Sequence, residues 1–400
     1  MLDRRSRLPA AIAVFAAVLG LVFASYSTLD YAAHLDRGLH DVHCSFIPGA
    51  PATSDAEPCR AAMYSPYSAL MREAYWGGIP ISLFALGAFT FFLGFSVYLL
   101  VANGRAPKAA VMFFAAVSIT PLIVSAVMFT ISVTQIGSLC KTCVGLYISS
   151  FLLAVGGLLG LGTLSGPGEP RPTVGAAFPL AWLVALGLIT LVPAVVYASS
   201  APNHDKFISQ CGLIKQAPTE NDGLIKLHTK HPVQTAILFE DPLCPTCKAF
   251  HARLLHEGAF DNLNAELSLF PLDSECNWML DTPLHPGACI VAKAVICGAD
   301  GARDVLEWSY EEQERLGAAG KAGPEALRAV IQQRWGTSMM KCIDDRRTLV
   351  RLNKNLHFAV TNAIPVSTPQ MYLGQRRVCD EDTDLGLRYT LARLAPEVLR

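Results

Sequence analysis

Five apolar runs without a charged side chain lie in the first half of the chain: Leu8 to Leu29, Gly77 to Gly104, Ala109 to Cys140, Thr142 to Gly168 and Ala176 to Tyr197. A helix rises 1.5 Å per residue, so about 20 residues cross a hydrocarbon layer of ~30 Å. Each run therefore predicts a membrane-spanning helix. The first follows Arg4, Arg5 and Arg7, as the apolar part of a signal peptide would. It exceeds the roughly 7–15 residues usual there, and is read as a first transmembrane helix. Pro121 predicts a kink in the third run. Gly156, Gly157 and Gly160 predict close helix packing in the fourth. Asp30 to Trp76 is polar, with Pro48, Gly49, Pro51 and Pro58 among its residues, and predicts a loop.

The second half alternates on shorter periods. Thr235 to Phe239 and Leu267 to Leu272 predict buried strands, and Met371 to Val378 a hairpin. Lys248 to Leu263, Ala288 to Cys297, Asp304 to Leu316, Pro324 to Trp335 and Leu385 to Leu394 predict helices, with Pro324 placed at a helix start. Composition agrees with this division. The chain is 52% hydrophobic and 16% charged, against roughly 25% charged in a soluble domain. Most of the charges follow residue 204, and the net charge of -1 does not support a nucleic-acid surface.

Loop basicity sets an expected orientation. The N-terminus and the turn Asn103 to Lys108 are basic and belong on the cytoplasmic side. The Gly/Pro turn Ser165 to Thr173, with Arg171, then falls on that side too. The loop 30–76, the turn at Cys140 to Cys143 and everything after Tyr197 fall on the other. This assignment puts all twelve cysteines at or near one extracytoplasmic face, where disulfides persist.

Two of the cysteine groups are C-x-x-C pairs. Cys140-Lys141-Thr142-Cys143 joins the third and fourth apolar runs, with Lys141 the lone charge between them. Cys244-Pro245-Thr246-Cys247 follows the strand Thr235 to Phe239 and opens a helix. A helix N-terminus stabilises a thiolate and lowers its pKa from ~8.5 towards ~3.5–7. Cys244 is thus expected to be the exposed, attacking sulfur and Cys247 the buried, resolving one. The competing reading is part of a four-cysteine zinc site, but the soluble half has no second tight pair. Cys211, Cys276, Cys289, Cys297, Cys342 and Cys379 suit structural bridges. Six cysteines allow fifteen pairings, and Cys276 with Cys289, Cys297 with Cys342 and Cys211 with Cys379 is one of them.

The segment Phe239-Glu240-Asp241-Pro242-Leu243-Cys244-Pro245-Thr246-Cys247-Lys248-Ala249-Phe250-His251 resembles the active-site segment of the DsbA-like thioredoxin-fold oxidoreductases. Val366-Ser367-Thr368-Pro369-Gln370-Met371-Tyr372-Leu373 resembles that family's second landmark, a cis proline opposite the disulfide. The resemblance implies that Thr368 and Pro369 present a backbone edge to substrate. It covers roughly 205–400, with a helical insertion. The first half, through Cys59 to Ser68, Gly78-Ile79-Pro80 and Cys140 to Cys143, is similar to the vitamin K epoxide reductase family. That family is a four-helix bundle with a quinone beside its membrane C-x-x-C, and its bacterial members are often fused to a thioredoxin-like domain. Here fourteen residues separate Cys44 from Cys59, more than in many members, and Met71 to Gly77 is an insertion before Gly78.

The expected architecture is an integral membrane α-helical bundle followed by a soluble α/β thioredoxin-like domain. The bundle is a four-helix core over 1–175 with a linking fifth transmembrane helix over 176–204. The soluble domain takes 205–400 and carries a helical insertion. The resemblance implies that Cys143 faces the quinone, that Cys140 exchanges with the loop pair Cys44–Cys59, and that Ser65 or Ser68 lies near the quinone pocket. Phe113, Phe114 and Phe129 are candidates for its wall, though core or lipid-facing positions suit them as well. The implied activity oxidises thiols of exported proteins at the extracytoplasmic side of the inner (plasma) membrane. Its electrons pass through Cys244–Cys247, Cys44–Cys59 and Cys140–Cys143 to ubiquinone or menaquinone, without a metal. A reductive relay and a membrane-anchored metal chaperone are the alternatives. The first needs cysteines reachable from the cytoplasm, and the second predicts tight copper or zinc binding.

Overall fold

The structure is a computed structural model that describes residues 2–35, 62–63, 65–136, 139–164 and 171–400. Cys44 and Cys59 lie outside the described residues. The chain separates into two compact units, 1–202 and 203–400.

The first unit holds five helices long and apolar enough to cross a membrane. Helix α1 (Leu2–Leu35) outlasts its apolar run at both ends, so Asp30 and Tyr31 are helical rather than part of a loop. A charge-free run reports the thickness of the apolar slab, whereas a helix continues while its backbone hydrogen bonds do. A short antiparallel pair, β1 (Ala69–Leu70) and β2 (Ile79–Pro80), leads into α2 (Ile81–Ala102). The third span is α3 (Lys108–Val117) and α4 (Ile119–Ile131), interrupted at Ser118. Pro121 has no N–H, and its ring crowds the carbonyl four residues back, that of Val117, so the break lies one turn before the proline. A π-type turn, Ser132–Ile136, ends this span. The fourth and fifth spans are α5 (Lys141–Leu161) and α6 (Ala177–Ser200).

Small residues decide how these helices meet, because lipid removes the hydrophobic drive for helix association. Helix α1 packs on α5 and α2, and α6 on α2. Ala13, Ala16, Ala17 and Ala24 of α1 are fully buried. A side chain at Gly156 would strike the Pro9 carbonyl and Ala13, and one at Gly157 would strike Ser118. Gly160 has ordinary room, its nearest neighbour being Val111 at 3.7 Å. Gly145, not singled out by the sequence, admits the Phe23 ring. Phe95 stacks on Phe114 at 5.7 Å and meets Trp182 edge-on at 5.5 Å, joining α2, α3 and α6.

The second unit is a five-stranded sheet: β3 (Ile225–Leu227), β4 (Gln234–Glu240), β5 (Leu263–Leu269), β6 (Gln370–Leu373) and β7 (Arg376–Val378). Their order is β3-β5-β4-β6-β7, with β4 and β5 parallel and every other pairing antiparallel. Helix α7 (Pro245–His256) follows β4 and stops earlier than the sequence predicts. The next strand begins at Leu263, four residues ahead of its expected start. Between β5 and β6 come α8 (Ala288–Cys297), α9 (Ala302–Glu311), α10 (Gln313–Ala322), α11 (Pro324–Ile343) and α12 (Arg346–Thr361). Helix α13 (Leu387–Leu394) closes the unit. The parallel β4–β5 pair is the register that places helices over both faces of the sheet. Ala236 and Leu238 point into one core with Phe250 and Leu254, while Ile237 and Phe239 point into the other with Leu356 and Phe358.

Three disulfides tie the second unit: Cys211–Cys379, Cys276–Cys289 and Cys297–Cys342. Each closes a loop and removes unfolded-state entropy, worth about 2–4 kcal/mol. Strand order, a C-x-x-C at the N-terminus of the helix after β4, and a cis bond at Thr368–Pro369 before β6 make this unit thioredoxin-like.

Candidate functional site

Both C-x-x-C pairs are built on the same local plan. Cys244 is the N-cap of α7, with extended backbone (φ -79°, ψ 119°), and Pro245 takes the first helical position. That position suits proline, since its missing N–H has no intrahelical partner there. Cys140 is the N-cap of α5, again extended (φ -75°, ψ 133°). In each pair the third residue is a threonine whose Oγ1 approaches the first sulfur, at 2.8 Å for Thr246 and 2.9 Å for Thr142. Among the described residues Cys143, Cys244 and Cys247 are free thiols.

In the soluble pair Cys247 is fully buried and Cys244 is 4% exposed. The expected order of access holds, but the expected exposure does not: Cys244 is covered because Thr368 lies over it. Cys244 Sγ is 3.7 Å from the Thr368 carbonyl oxygen, which also accepts from Thr246 Oγ1 at 3.2 Å. One hydroxyl proton serves two acceptors in turn. With Cys244 as thiol, sulfur donates to the carbonyl; with Cys244 as thiolate, Thr246 donates to sulfur. Hydrogen bonding from the Cys247 thiol, then from Thr246, outweighs burial and lowers the Cys244 pKa to about 6. Burial, with hydrogen bonding to Cys244 next, pushes the Cys247 thiol well up. One sulfur is thus poised as nucleophile and the other held protonated.

Beneath Cys247 lies a buried polar cluster that the sequence did not single out. Glu240, at the end of β4, accepts from the Tyr310 hydroxyl at 2.9 Å. The His251 ring sits between Glu240 and Glu307, 3.6 Å from each carboxylate. Arg303 pairs with Glu307 at 2.7 Å. Burial opposes a charged imidazole, but the two glutamates on either side of the ring raise the His251 pKa to about 9. The sequence signal was a Glu four residues before the first cysteine and a His four after the second, which becomes meaningful only once α9 supplies Tyr310 and Glu307.

The membrane pair opens on a cavity at one end of the first unit. Its wall includes Ser65, Ser68, Cys140, Cys143, Ser132 and Tyr147. Ser65 and Ser68 line the same cavity as the cysteines. Their hydroxyls donate locally, to the Ala62 and Ser65 carbonyls at 2.8 and 2.9 Å. Tyr147, one turn after Cys143, has its hydroxyl 3.4 Å from Ser132 Oγ. Asp30 reaches the same cavity from α1. None of Phe113, Phe114 and Phe129 lines it. Phe114 is core, Phe113 packs on Trp182, and Phe129 meets Tyr147 edge-on at 6.0 Å. Cys140 is 4% exposed and Cys143 is more open.

The profile of the vitamin K epoxide reductase family matches residues 11–156, which spans the first four membrane-length helices and the cavity. Residues 11–156 are a vitamin K epoxide reductase family domain. The chain therefore joins such a domain to a thioredoxin-like one, and its chemistry is that of a membrane thiol–disulfide oxidoreductase. Comparison with curated proteins gives no match. Among solved structures, the chain is similar to the oxidoreductase DsbA from Xylella fastidiosa, with 21% identity, 42% of this chain and 91% of that one covered, and a TM-score of 0.32. It is also similar to a thioredoxin-like oxidoreductase from Silicibacter pomeroyi DSS-3, with 13% identity, 40% and 88% covered, and a TM-score of 0.28. A third is a linker-deletion mutant of Proteus mirabilis ScsC, with 18% identity, 56% and 100% covered, and a TM-score of 0.25.

Proposed function

We propose that this protein makes disulfide bonds in exported proteins and disposes of the electrons in a membrane quinone, ubiquinone or menaquinone. The observation that carries the proposal is the repeated C-x-T-C plan: one copy in a thioredoxin-like unit, the other on a cavity among membrane-length helices. In the first step a substrate thiolate attacks the Cys244–Cys247 disulfide at Cys244, and Cys247 leaves and is protonated. A second substrate thiolate then displaces Cys244, leaving a substrate disulfide and a reduced pair. The Thr368 carbonyl edge beside Cys244 suits an extended peptide at that moment. Pro369 fixes the direction of that edge.

Reoxidation passes two electrons and two protons inward by the same exchange, through Cys44–Cys59 and then Cys140–Cys143. Cys140 receives the exchange, and Cys143, the more open sulfur on the cavity, lies at the quinone. The chemistry of the cavity wall supports this reading: Met63, Ile81 and Ile131 supply apolar surface for a ring, while Ser65, Ser68 and Tyr147 supply hydroxyls for its carbonyl edges. A quinone held there accepts two electrons and two protons as the Cys140–Cys143 disulfide reforms. The soluble unit works outside the cytoplasm, at the inner (plasma) membrane.

The test is quinone consumption by the purified chain with a reduced dithiol peptide. Cys143→Ala and Cys244→Ala are each expected to abolish quinone consumption with the peptide as electron donor. Undiminished quinone consumption in Cys143→Ala overturns the route. Tight stoichiometric copper or zinc binding without quinone reduction supports the metal-chaperone alternative instead, and electron flow from cytoplasmic thiols supports the reductive one.

A further inference from the structure

One buried titratable residue of the redox turn has no part in the steps above. Asp241 is fully buried, and every polar atom it owns is engaged. Its N–H donates to Cys247 Sγ at 3.4 Å, and its carbonyl accepts the Cys244 N–H at 3.0 Å. Its Oδ1 accepts the Leu243 N–H at 2.7 Å. These three bonds shape the turn that carries both sulfurs. The other carboxylate oxygen accepts the Leu272 N–H at 2.8 Å and meets His285 Nδ1 at 2.7 Å.

His285 is delivered to that oxygen by a closed loop. The Cys276–Cys289 disulfide joins the loop's ends. Asp273, also fully buried, accepts the N–H groups of Gly287 at 2.9 Å and Cys289 at 3.3 Å with one oxygen, and that of Glu275 at 3.1 Å with the other. The Leu272 carbonyl accepts the N–H groups of Leu284 and His285, both at 2.9 Å. The imidazole is therefore fixed against Asp241, yet 16% of its side chain stays open to solvent. It can exchange protons with water.

A carboxylate built into the redox turn disfavours a second negative charge on Cys244, and the effect is strong where water is excluded. A protonated imidazole at 2.7 Å cancels it. We propose that His285 is a positioning residue for the soluble redox pair, which in its protonated form neutralises Asp241 beneath the turn and so supports the Cys244 thiolate. The inference rests on the reading of Cys244 as the attacking sulfur. The charged and titratable groups that face His285 are Asp241 before α7, Asp273 after β5 and Cys244 at the start of α7. Burial disfavours the imidazolium, but hydrogen bonding to Asp241 and the attraction of these groups raise its pKa above the ordinary 6.5. The support for the thiolate is therefore present below that raised pKa and fades as pH rises through it.

The test measures alkylation of Cys244 in the reduced full chain as a function of pH, quantified on the Cys244 peptide by mass spectrometry. His285→Asn keeps a donor facing Asp241 but never carries charge. It is expected to slow Cys244 alkylation at pH values near 6 about fivefold, a free-energy change of ~1 kcal/mol. It should also simplify the two-step pH profile to one step. His285→Lys keeps the charge and is expected to restore the low-pH rate to within about twofold of wild type. His228→Asn, at a histidine with 69% of its side chain exposed, controls for histidine loss elsewhere. A wild-type profile with a low midpoint that His285→Asn leaves unchanged overturns the inference while leaving Cys244 as the nucleophile. Slowing by Asn without rescue by Lys also overturns it, because the loss then comes from shape and not from charge. A wild-type Cys244 that reacts only at high pH instead removes the attacking role itself.

Discussion

The two C-x-T-C pairs share a helix start, an extended first cysteine and a threonine on its sulfur, yet they open in opposite senses. In the soluble pair the second sulfur is sealed, and the first, though almost covered, is the one with access. In the membrane pair the first sulfur is 4% exposed and the second is the more open. The local sequence cannot set this difference, because the plan is common to both. What stands behind the helix start sets it. Cys247 faces a packed core of Phe250 and Leu254 with the Glu240 cluster beneath. Cys143 instead faces a cavity between helices whose contacts are kept by Gly145, Gly156 and Gly157. The proposed route, which hands electrons from one medium to another, needs one pair open towards water and one open towards an apolar site.

The sharpest way to break the comparison is to remove the sealed sulfur. Offered a disulfide-bonded peptide, so that the exchange runs in reverse, Cys247→Ala is expected to leave Cys244 joined to the peptide, because the neighbouring sulfur that would displace it is gone, with release slowed by about 10³-fold or more, measured as accumulated mixed disulfide on non-reducing gels. The matching change Cys140→Ala should accumulate no mixed disulfide with substrate peptide. Next in size is helix packing in the membrane unit. Gly157→Leu is expected to lower stability by about 1–3 kcal/mol through overpacking against Ser118. Gly160→Leu, which has room, should be close to neutral. Thermal unfolding in detergent separates them.

Smaller effects come from the shared threonine and from the buried histidine. Thr246→Val is expected to raise the Cys244 pKa from about 6 and to slow its alkylation severalfold at low pH, read on the Cys244 peptide. His251 carries a pKa raised to about 9 from an ordinary 6.5. Its contribution to stability is therefore fully present below about 6.5 and is lost as pH rises through about 9. Denaturant titrations across that window should show falling stability in wild type and a flatter profile in His251→Gln.

Much of this molecule was legible as pattern. The five charge-free runs each became a membrane-length helix, and both C-x-x-C pairs fell at helix starts. These are one-dimensional signals: charge excluded over the width of a bilayer, and cysteines two apart on one helical turn. Helix α12 was missed although Thr348, Leu352, Asn355, Leu356 and Ala359 form its buried stripe. Two of those residues are polar, and they are buried because Asn355 caps the β5 backbone through the Leu269 N–H and Thr348 meets the Cys342 carbonyl. The end of α1 was misplaced for the reverse reason, since Asp30 reads as a boundary while the backbone continues.

Sequence alone set the five membrane-length helices, the division between an apolar and a polar half, and the placing of both C-x-x-C pairs at helix starts. Those depend on residues near one another along the chain. The tertiary structure alone decided which sulfur of each pair is open, that Thr368 covers Cys244, and that Tyr147 and Asp30 share a cavity with Cys143. It also decided that His285 and Asp241, forty-four residues apart, form one hydrogen-bonded pair. Exposure and electrostatics depend on what packs against a residue from elsewhere in the chain, and only the folded arrangement specifies that.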